Sequence, residues 1–162
     1  MNADAFRQLY DYHFRENRKI WDLYISRLSD EQFTQPVDYS HGSVRDQIAH
    51  LTRVDDAWFI PLRGLDFDDM PDPDDLADRE SLRAYAETVE RNIRDYLATL
   101  QDEELFEKPY PPGEDEDLIL WQVLFHVVNH ATDHRAQIMR AVSDMGIETC
   151  PQDFVFYAYE NG

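Results

Sequence analysis

Four segments of the chain repeat hydrophobic residues every three or four positions, which is the spacing of one face of an α-helix. They run from about Asp4 to Leu28, from Ser43 to about Pro61, from Leu82 to Leu100, and from about Asp117 to Met145. No stretch of comparable strength alternates hydrophobic and polar residues as a β-strand does. Because such helices must bury their apolar faces against one another, the pattern predicts an all-α fold, a four-helix bundle.

Local signals mark the ends of these helices. Ser43 is a favourable N-cap and Asp46 follows three residues later, so the two predict an acidic capping box. Gly146 suits the position just after the last helix, and the acidic run 114–117 suits the positive end of that helix. The spacing of the first helix is irregular near residues 16–19.

Three connections join the helices, at about 30–42, 65–78 and 102–116. The second is a long crossover rich in aspartate and proline, which gives it a superficial likeness to a calcium-binding loop. It lacks the ordered D-x-D-x-D-G spacing and the distal glutamate of such loops, so a solvated linker is the better interpretation. The aromatic tail from Phe154 to Tyr159 is expected to pack back on the bundle, with a short strand as the alternative.

Composition limits the classes of function. The 162 residues are 43% hydrophobic, enough for one core, so residues 1–162 are expected to form a single domain. With 34 acidic and 15 basic residues the net charge is −19, which argues against binding nucleic acid or an anionic membrane. The N-terminal residues lack the apolar stretch of a signal peptide, and the single cysteine, Cys150, allows no internal disulfide. These features predict an acidic, cytoplasmic protein.

The histidines carry the chemistry that the sequence suggests. His126, His130 and His134 follow one another at intervals of four on the last helix. Each such step turns the helix by only about 40°, so the three rings lie on one side of it. Two imidazoles spaced in this way can share a metal ion, and a third ligand must then come from another element. His50, inside the second helix, is the natural candidate.

Other interpretations of the six histidines remain open at this point. His13 and His126 each suit a hydrogen-bonded core residue, and His41, beside Gly42, suits a surface loop. The spacing alone does not prove that His50 faces the pair on the last helix. Di-iron carboxylate, zinc-protease and hemerythrin-type sites are excluded, because E-x-x-H, H-E-x-x-H and H-x-x-x-E are all missing from the sequence.

The helical wheel gives the last helix two apolar sides. One side carries His130 and His134 together with Val123, Val127, Ile138 and Ala141. The other, centred more than a quarter turn away, carries Trp121, Phe125, Val128 and Met139. We expect the first side to face the interior of the bundle. The second side can contact a neighbouring helix or a second subunit.

Two segments resemble motifs of a known family. The run from Phe125 to Ile138 resembles the last-helix signature of the DinB-like family (DinB/YfiT), whose usual form is H-x-x-N-H-x-x-x-H-R-G-Q. The stretch from Val44 to Trp58, which contains His50, resembles the second-helix motif of that family. One departure is Ala136, which stands where the family often has glycine. A methyl group there affects how closely another helix can approach.

The resemblance implies a four-helix bundle, commonly a homodimer, that holds one divalent metal ion through His50, His130 and His134. Zinc or nickel is the expected ion, with iron or manganese as alternatives, and His126 occupies a family position that is not normally a ligand. The characterised members are thiol S-transferases and isomerases that use small thiols such as bacillithiol or mycothiol. The implied function is therefore transfer of a low-molecular-weight thiol to a small electrophile.

Two alternatives to an S-transferase stay open. One is a metal-binding stress-response protein without turnover, and the other is a metal-dependent hydrolase. Asp46 and Asp133 are the nearby acids to consider as a general base, although each also suits a cap or a surface position. An anionic thiol approaching a chain of this charge needs a local positive patch, for which the candidates are Arg45, Arg53 and Arg135. No catalytic residue is assigned.

Overall fold

The computed structural model describes residues 2–113 and 115–161, and all regular secondary structure in those ranges is helical. The prediction of an all-α fold is therefore confirmed. Four long helices and two short ones follow one another in the order α1 (Ala3–Lys19), α2 (Asp30–Thr34), α3 (Val44–Phe59), α4 (Arg79–Thr99), α5 (Leu120–Asp144) and α6 (Phe154–Asn161). Both α1 and α3 pack against α4 and α5, which gives the bundle its four long helices.

The irregular spacing predicted near residues 16–19 has a structural counterpart immediately after it. The chain leaves α1 through a π-helical turn at Ile20–Tyr24 and a 3₁₀ turn at Ile25–Arg27. The wider π turn resets the helical phase, and both Trp21 and Tyr24 are buried as a result. The hydrophobic pattern therefore continues to Leu28 although the α-helix itself ends at Lys19.

The predicted signals at the ends of the helices are confirmed, with one shift. The Ser43 hydroxyl accepts the Asp46 N–H, and the Asp46 carboxylate accepts the Ser43 N–H at 3.0 Å, so the capping box forms. Gly146, with a φ of 86°, follows the end of α5. That helix begins at Leu120 rather than near Asp117, because Asp117 belongs to the preceding turn and pairs with Lys108 at 2.7 Å. Glu114, the first residue of the acidic run, lies outside the described residues.

The two sides predicted for α5 differ in burial as expected. Val123, Val127, Ile138 and Ala141 are fully buried. The other side is mixed, because Phe125 is 51% exposed, Trp121 and Met139 are half-buried against the core, and Val128 is buried. The connection between α3 and α4 contains short 3₁₀ turns at Pro61–Arg63, Phe67–Asp69 and Pro73–Leu76. No helix within the described ranges is long and apolar enough to cross a membrane.

Two segments predicted as irregular contain helix. The loop at 30–42 includes α2. Ser29 and Gln32 form a capping box at its first turn, and this helix was not predicted. The aromatic tail forms α6 rather than a strand. It packs back on α1, as predicted: Phe154 meets the Tyr12 ring at 5.2 Å, and the Tyr157 hydroxyl donates to the Asp11 carboxylate.

Candidate metal centre

Histidines from two long helices meet inside the bundle. His50 projects from α3, while His130 and His134 project one turn apart from α5. The ring centroids of His130 and His134 are 4.3 Å apart, and those of His50 and His134 are 4.6 Å apart. The His50 and His130 centroids are separated by 5.4 Å. The structure therefore brings together the three histidines that the sequence singled out.

A fourth ring joins this cluster from the loop that precedes α3. The His41 ring stacks on His50, with a centroid distance of 3.8 Å and an interplanar angle of 18°, and lies 5.3 Å from His134. Ligand nitrogens of His41, His50 and His134 lie within 4.8 Å of one another, so these three side chains could hold a metal ion. His41 is exposed, as expected of a loop residue, but its contact with His50 was not foreseen. The role of His130 as a ligand stays a prediction.

The surroundings of His50, His130 and His134 favour the neutral form of their imidazoles. Burial, together with the smaller effect of the neighbouring rings of His41, His134 and His130, lowers the pKa of His50 to about 4. Burial also lowers the pKa of His130 and of His134 below the usual value. Neutral imidazole is the form that binds a metal ion, so the bundle holds these side chains in the state that coordination requires.

Two ring nitrogens in the cluster have unmet hydrogen-bonding capacity. The Nδ1 atoms of His130 and His134 are buried and have no hydrogen-bond partner within the described part of the chain. A buried polar atom without a partner is unfavourable, and a ligand can remove that penalty. Several neutral imidazoles that converge with unpaired nitrogens form a donor set suited to zinc, nickel or iron, so the residues fit a divalent metal ion.

A buried polar network connects this cluster to α1, and sequence reasoning missed its central acid, Asp55. His13 Nε2 lies 2.8 Å from Asp55 Oδ2, and the Arg135 guanidinium lies 3.1 Å from His13 Nδ1. Because arginine can only donate, His13 Nδ1 accepts from Arg135, and Nε2 donates to the Asp55 carboxylate. Asp55, His13 and Arg135 are each at most 2% exposed. The interpretation of His13 as a hydrogen-bonded core residue is confirmed.

The charge of Asp55 reaches the histidine cluster. Its carboxylate acts to raise the pKa of both His130 and His134, against the larger lowering caused by their burial. Its second oxygen, Oδ1, is buried and has no hydrogen-bond partner within the described residues. A buried negative charge close to neutral imidazoles makes the site more attractive to a cation.

The three arginines considered for a positive patch have different surroundings in the structure. Arg135 is 1% exposed and points into the polar network, because its position on α5 faces α1 rather than solvent. Arg45 pairs with the Asp46 carboxylate, at 2.5 Å from its Nη2 atom. The Arg53 guanidinium donates to the Pro71 carbonyl. Arg135 is thus withdrawn from solvent and the charge of Arg45 is paired, whereas Arg53 contacts a neutral carbonyl, so a positive patch stays a prediction that rests on Arg53.

The two acids considered as a general base have structural or surface roles. Asp46 belongs to the capping box of α3, and although burial acts to raise its pKa, hydrogen bonds from Ser43 and Arg45 outweigh this and lower it. Asp133 is exposed and accepts a hydrogen bond from Gln137 at 3.0 Å. Neither lies among the converging histidines, so their alternative interpretation is the better one.

The expectation that His126 is a core residue is wrong, because it lies on the exposed side of α5. Its ring centroid is 5.0 Å from Trp58 and 5.9 Å from His130. Trp58 in turn lines an apolar cleft of about 350 Å³ with Phe67 and Tyr110. His126 thus lies between the histidine cluster and a cleft large enough for a small organic molecule.

Two comparisons with known proteins match nearly the whole chain. The sequence model of the DinB family matches residues 1–162. The chain is also 26% identical, over 172 aligned positions, to the protein named Protein DinB from Bacillus subtilis (strain 168). That alignment covers 98% of this chain and 96% of the relative.

Proposed function

Because the chain belongs to the DinB family, we propose that it binds one divalent metal ion through His50, His130 and His134 and transfers a small thiol to an electrophile. The observation that carries the proposal is the convergence of neutral imidazoles from α3 and α5, with centroids 4.3 to 5.4 Å apart. Zinc and nickel are the ions we expect, since both accept nitrogen ligands of this kind, as iron and manganese also can.

The proposed metal site would serve the reaction by holding the thiol as a thiolate. A metal ion lowers the pKa of a coordinated thiol so far that it is deprotonated, which produces the nucleophile at neutral pH. The three helix-borne histidines would occupy three positions of a tetrahedral ion, so the fourth is the position that such a molecule can take, as in catalytic rather than structural zinc sites. The buried charge of Asp55 supports the retention of a cation beside neutral imidazoles.

The cleft beside Trp58 is the place we propose for the electrophile. Its aromatic walls favour a flat or apolar molecule. The centroid of the His126 ring lies 5.0 Å from that of Trp58 and 5.9 Å from that of His130. A molecule in this cleft would lie within reach of a thiol in the histidine cluster. Holding two reactants side by side converts an encounter between separate molecules into a reaction within one complex.

The test is an S-transfer assay with a chlorodinitrobenzene-like acceptor and a series of small thiols. We expect metal-loaded protein to react faster than metal-free protein, and a His130→Ala/His134→Ala variant to give only the metal-free rate. Trp58→Ala should raise KM for the acceptor and leave metal content unchanged. Equal rates for loaded protein, metal-free protein and the double variant would refute the proposed activity.

A further inference from the structure

His41 reaches the histidine cluster from a loop, unlike the three histidines on helices. Its ring stacks on His50 at 3.8 Å, and its ligand nitrogen belongs to the group within 4.8 Å that includes His50 and His134. The side chain is otherwise exposed. An exposed imidazole is well solvated and gains little from contact with another ring. We therefore attribute the position of His41 to the conformation of its loop or to a ligand.

The loop adopts an unfavourable backbone conformation at this point. Ser40 has a φ of 63°, which makes it the single non-glycine residue with positive φ in the described part of the chain. Gly42 has a φ of 78°, and a Cβ added there would lie 2.8 Å from an Asp46 carboxylate oxygen. A non-glycine residue in this region costs on the order of 1 kcal/mol or more, so the surrounding contacts must hold it.

Contacts on both sides of His41 hold this conformation. The Ser40 hydroxyl donates to the Gln137 side chain on α5, which ties the loop to the helix that carries His134. The Val37 N–H donates to the Gly42 carbonyl at 3.1 Å and closes the turn. Gly42 also lies directly before the Ser43 cap of α3. The strained turn is therefore anchored to both helices of the candidate metal centre.

We propose that His41 is a fourth, displaceable ligand of the metal ion that the three helix-borne histidines hold. The proposal rests on the proposed function, because it requires that ion to be present. With His41 bound, four imidazoles would close the coordination sphere in the manner of a structural zinc site. Since His41 is the exposed ligand and comes from a loop, it is the one that a thiol would replace, so the open position is created by the substrate.

The test compares cobalt-loaded proteins by X-ray absorption, which counts imidazole ligands, and by metal competition, which measures affinity. We expect four imidazoles in the wild type and three in His41→Ala, with affinity weakened at least about tenfold. His126→Ala is the matched control, since it removes another exposed histidine near the cluster and should change neither quantity. His41→Ala with the wild-type count and affinity would overturn the proposal.

A second variant tests the loop while keeping every histidine. Gly42→Ala strains the turn, because Gly42 has a φ of 78° that residues with a Cβ rarely adopt and because the new methyl group meets the Asp46 carboxylate. The variant should reproduce the three-imidazole count. Addition of a small thiol to the wild type should lower the count from four to three as a sulfur ligand appears. Four imidazoles in Gly42→Ala, or a thiol that binds without loss of an imidazole, would contradict the displacement. Failure of the wild type to bind metal would instead refute the proposed function.

Discussion

The buried network of Arg135, His13 and Asp55 predicts a large effect from one substitution, Arg135→Met. Methionine fills part of the space of the arginine stem but removes every donor of the guanidinium. Those donors now reach His13 at 3.1 Å, Asn17 at 3.0 Å, Thr132 at 2.9 Å and Gln152 at 2.9 Å. The variant also leaves the carboxylate of Asp55 buried without the positive charge that balances it.

The expected loss follows from the burial of the charges. Arg135 and Asp55 are 1% and 2% exposed, so solvent does not screen them, and the His13 ring links them. Removal of one charge leaves the other buried, which costs about 3–5 kcal/mol. For a chain of this length, that loss lowers Tm by about 6–20 °C. Asp55→Asn should destabilise the protein for the converse reason. The double variant removes both charges and should lose less than the sum of the two single losses, by about 0.5–3 kcal/mol.

Urea unfolding of the two single variants and the double variant measures this coupling directly. Arg140→Met is the control, because Arg140 is an arginine of the same helix with a side chain that is 69% exposed, and its loss should stay within about 0.5 kcal/mol. Additive losses, or an Arg135→Met loss as small as that of the control, would refute the view that the network is a coupled pair of buried charges.

Four further predictions concern the site and the surface. Because burial lowers the pKa of His50 to about 4, its imidazole stays neutral at pH values well below the ordinary histidine pKa. Metal affinity should therefore stay constant from pH 8 to 6.5 and fall towards pH 4. A competition titration that shows a steep loss of affinity already above pH 6.5 would contradict this prediction. The metal-free protein should also become less stable to urea as the pH falls below about 6.5, because His50 takes up a proton in the unfolded chain at a higher pH than in the folded protein. Constant stability down to pH 4 would contradict the lowered pKa of His50. With Arg135 buried and a net charge of −19, the protein should repel an anionic thiol, and added salt should screen this repulsion. S-transfer from an anionic thiol should therefore become faster with added salt, while transfer from a neutral thiol should not. Equal salt responses of the two thiols would show that charge repulsion is unimportant. The surface around Phe125, which is 51% exposed, is where we expect the homodimer predicted from the sequence to form. Sedimentation experiments should then show a dimer for the wild type and a monomer for Phe125→Asp. A monomeric wild type would contradict the predicted dimer.

Much of the fold follows from local signals in the sequence. The hydrophobic spacing located all four long helices, and the Ser43 and Gly146 signals located two of their ends, because capping depends on residues within one turn. The helical wheel of α5 placed His130 and His134 towards the interior, because the helical period determines which residues share a face. Ser29 and Gln32 carried a signal for α2 as well, but five residues are too few for a hydrophobic period.

The parts of the site that sequence reasoning missed depend on contacts between distant residues. Asp55 is an acidic residue of the kind that usually lies on the exposed face of a helix. Its burial depends on His13 of α1, which contacts its carboxylate, and on Arg135 of α5, which contacts His13. The approach of His41 depends on the backbone of Ser40 and on its bond to Gln137, 97 residues away. No pattern within a single helix or loop encodes these encounters.

Metal content, measured by elemental mass spectrometry on untagged protein, tests the central claim most directly. The wild type should carry about one equivalent of a divalent ion, and the His130→Ala/His134→Ala variant should carry almost none after the same exposure to metal. Circular dichroism of both proteins confirms that any difference arises from the site rather than from loss of the helices. Equal metal in two folded proteins, or none in the wild type even after metal is added, would contradict the assignment of a metal centre to these histidines.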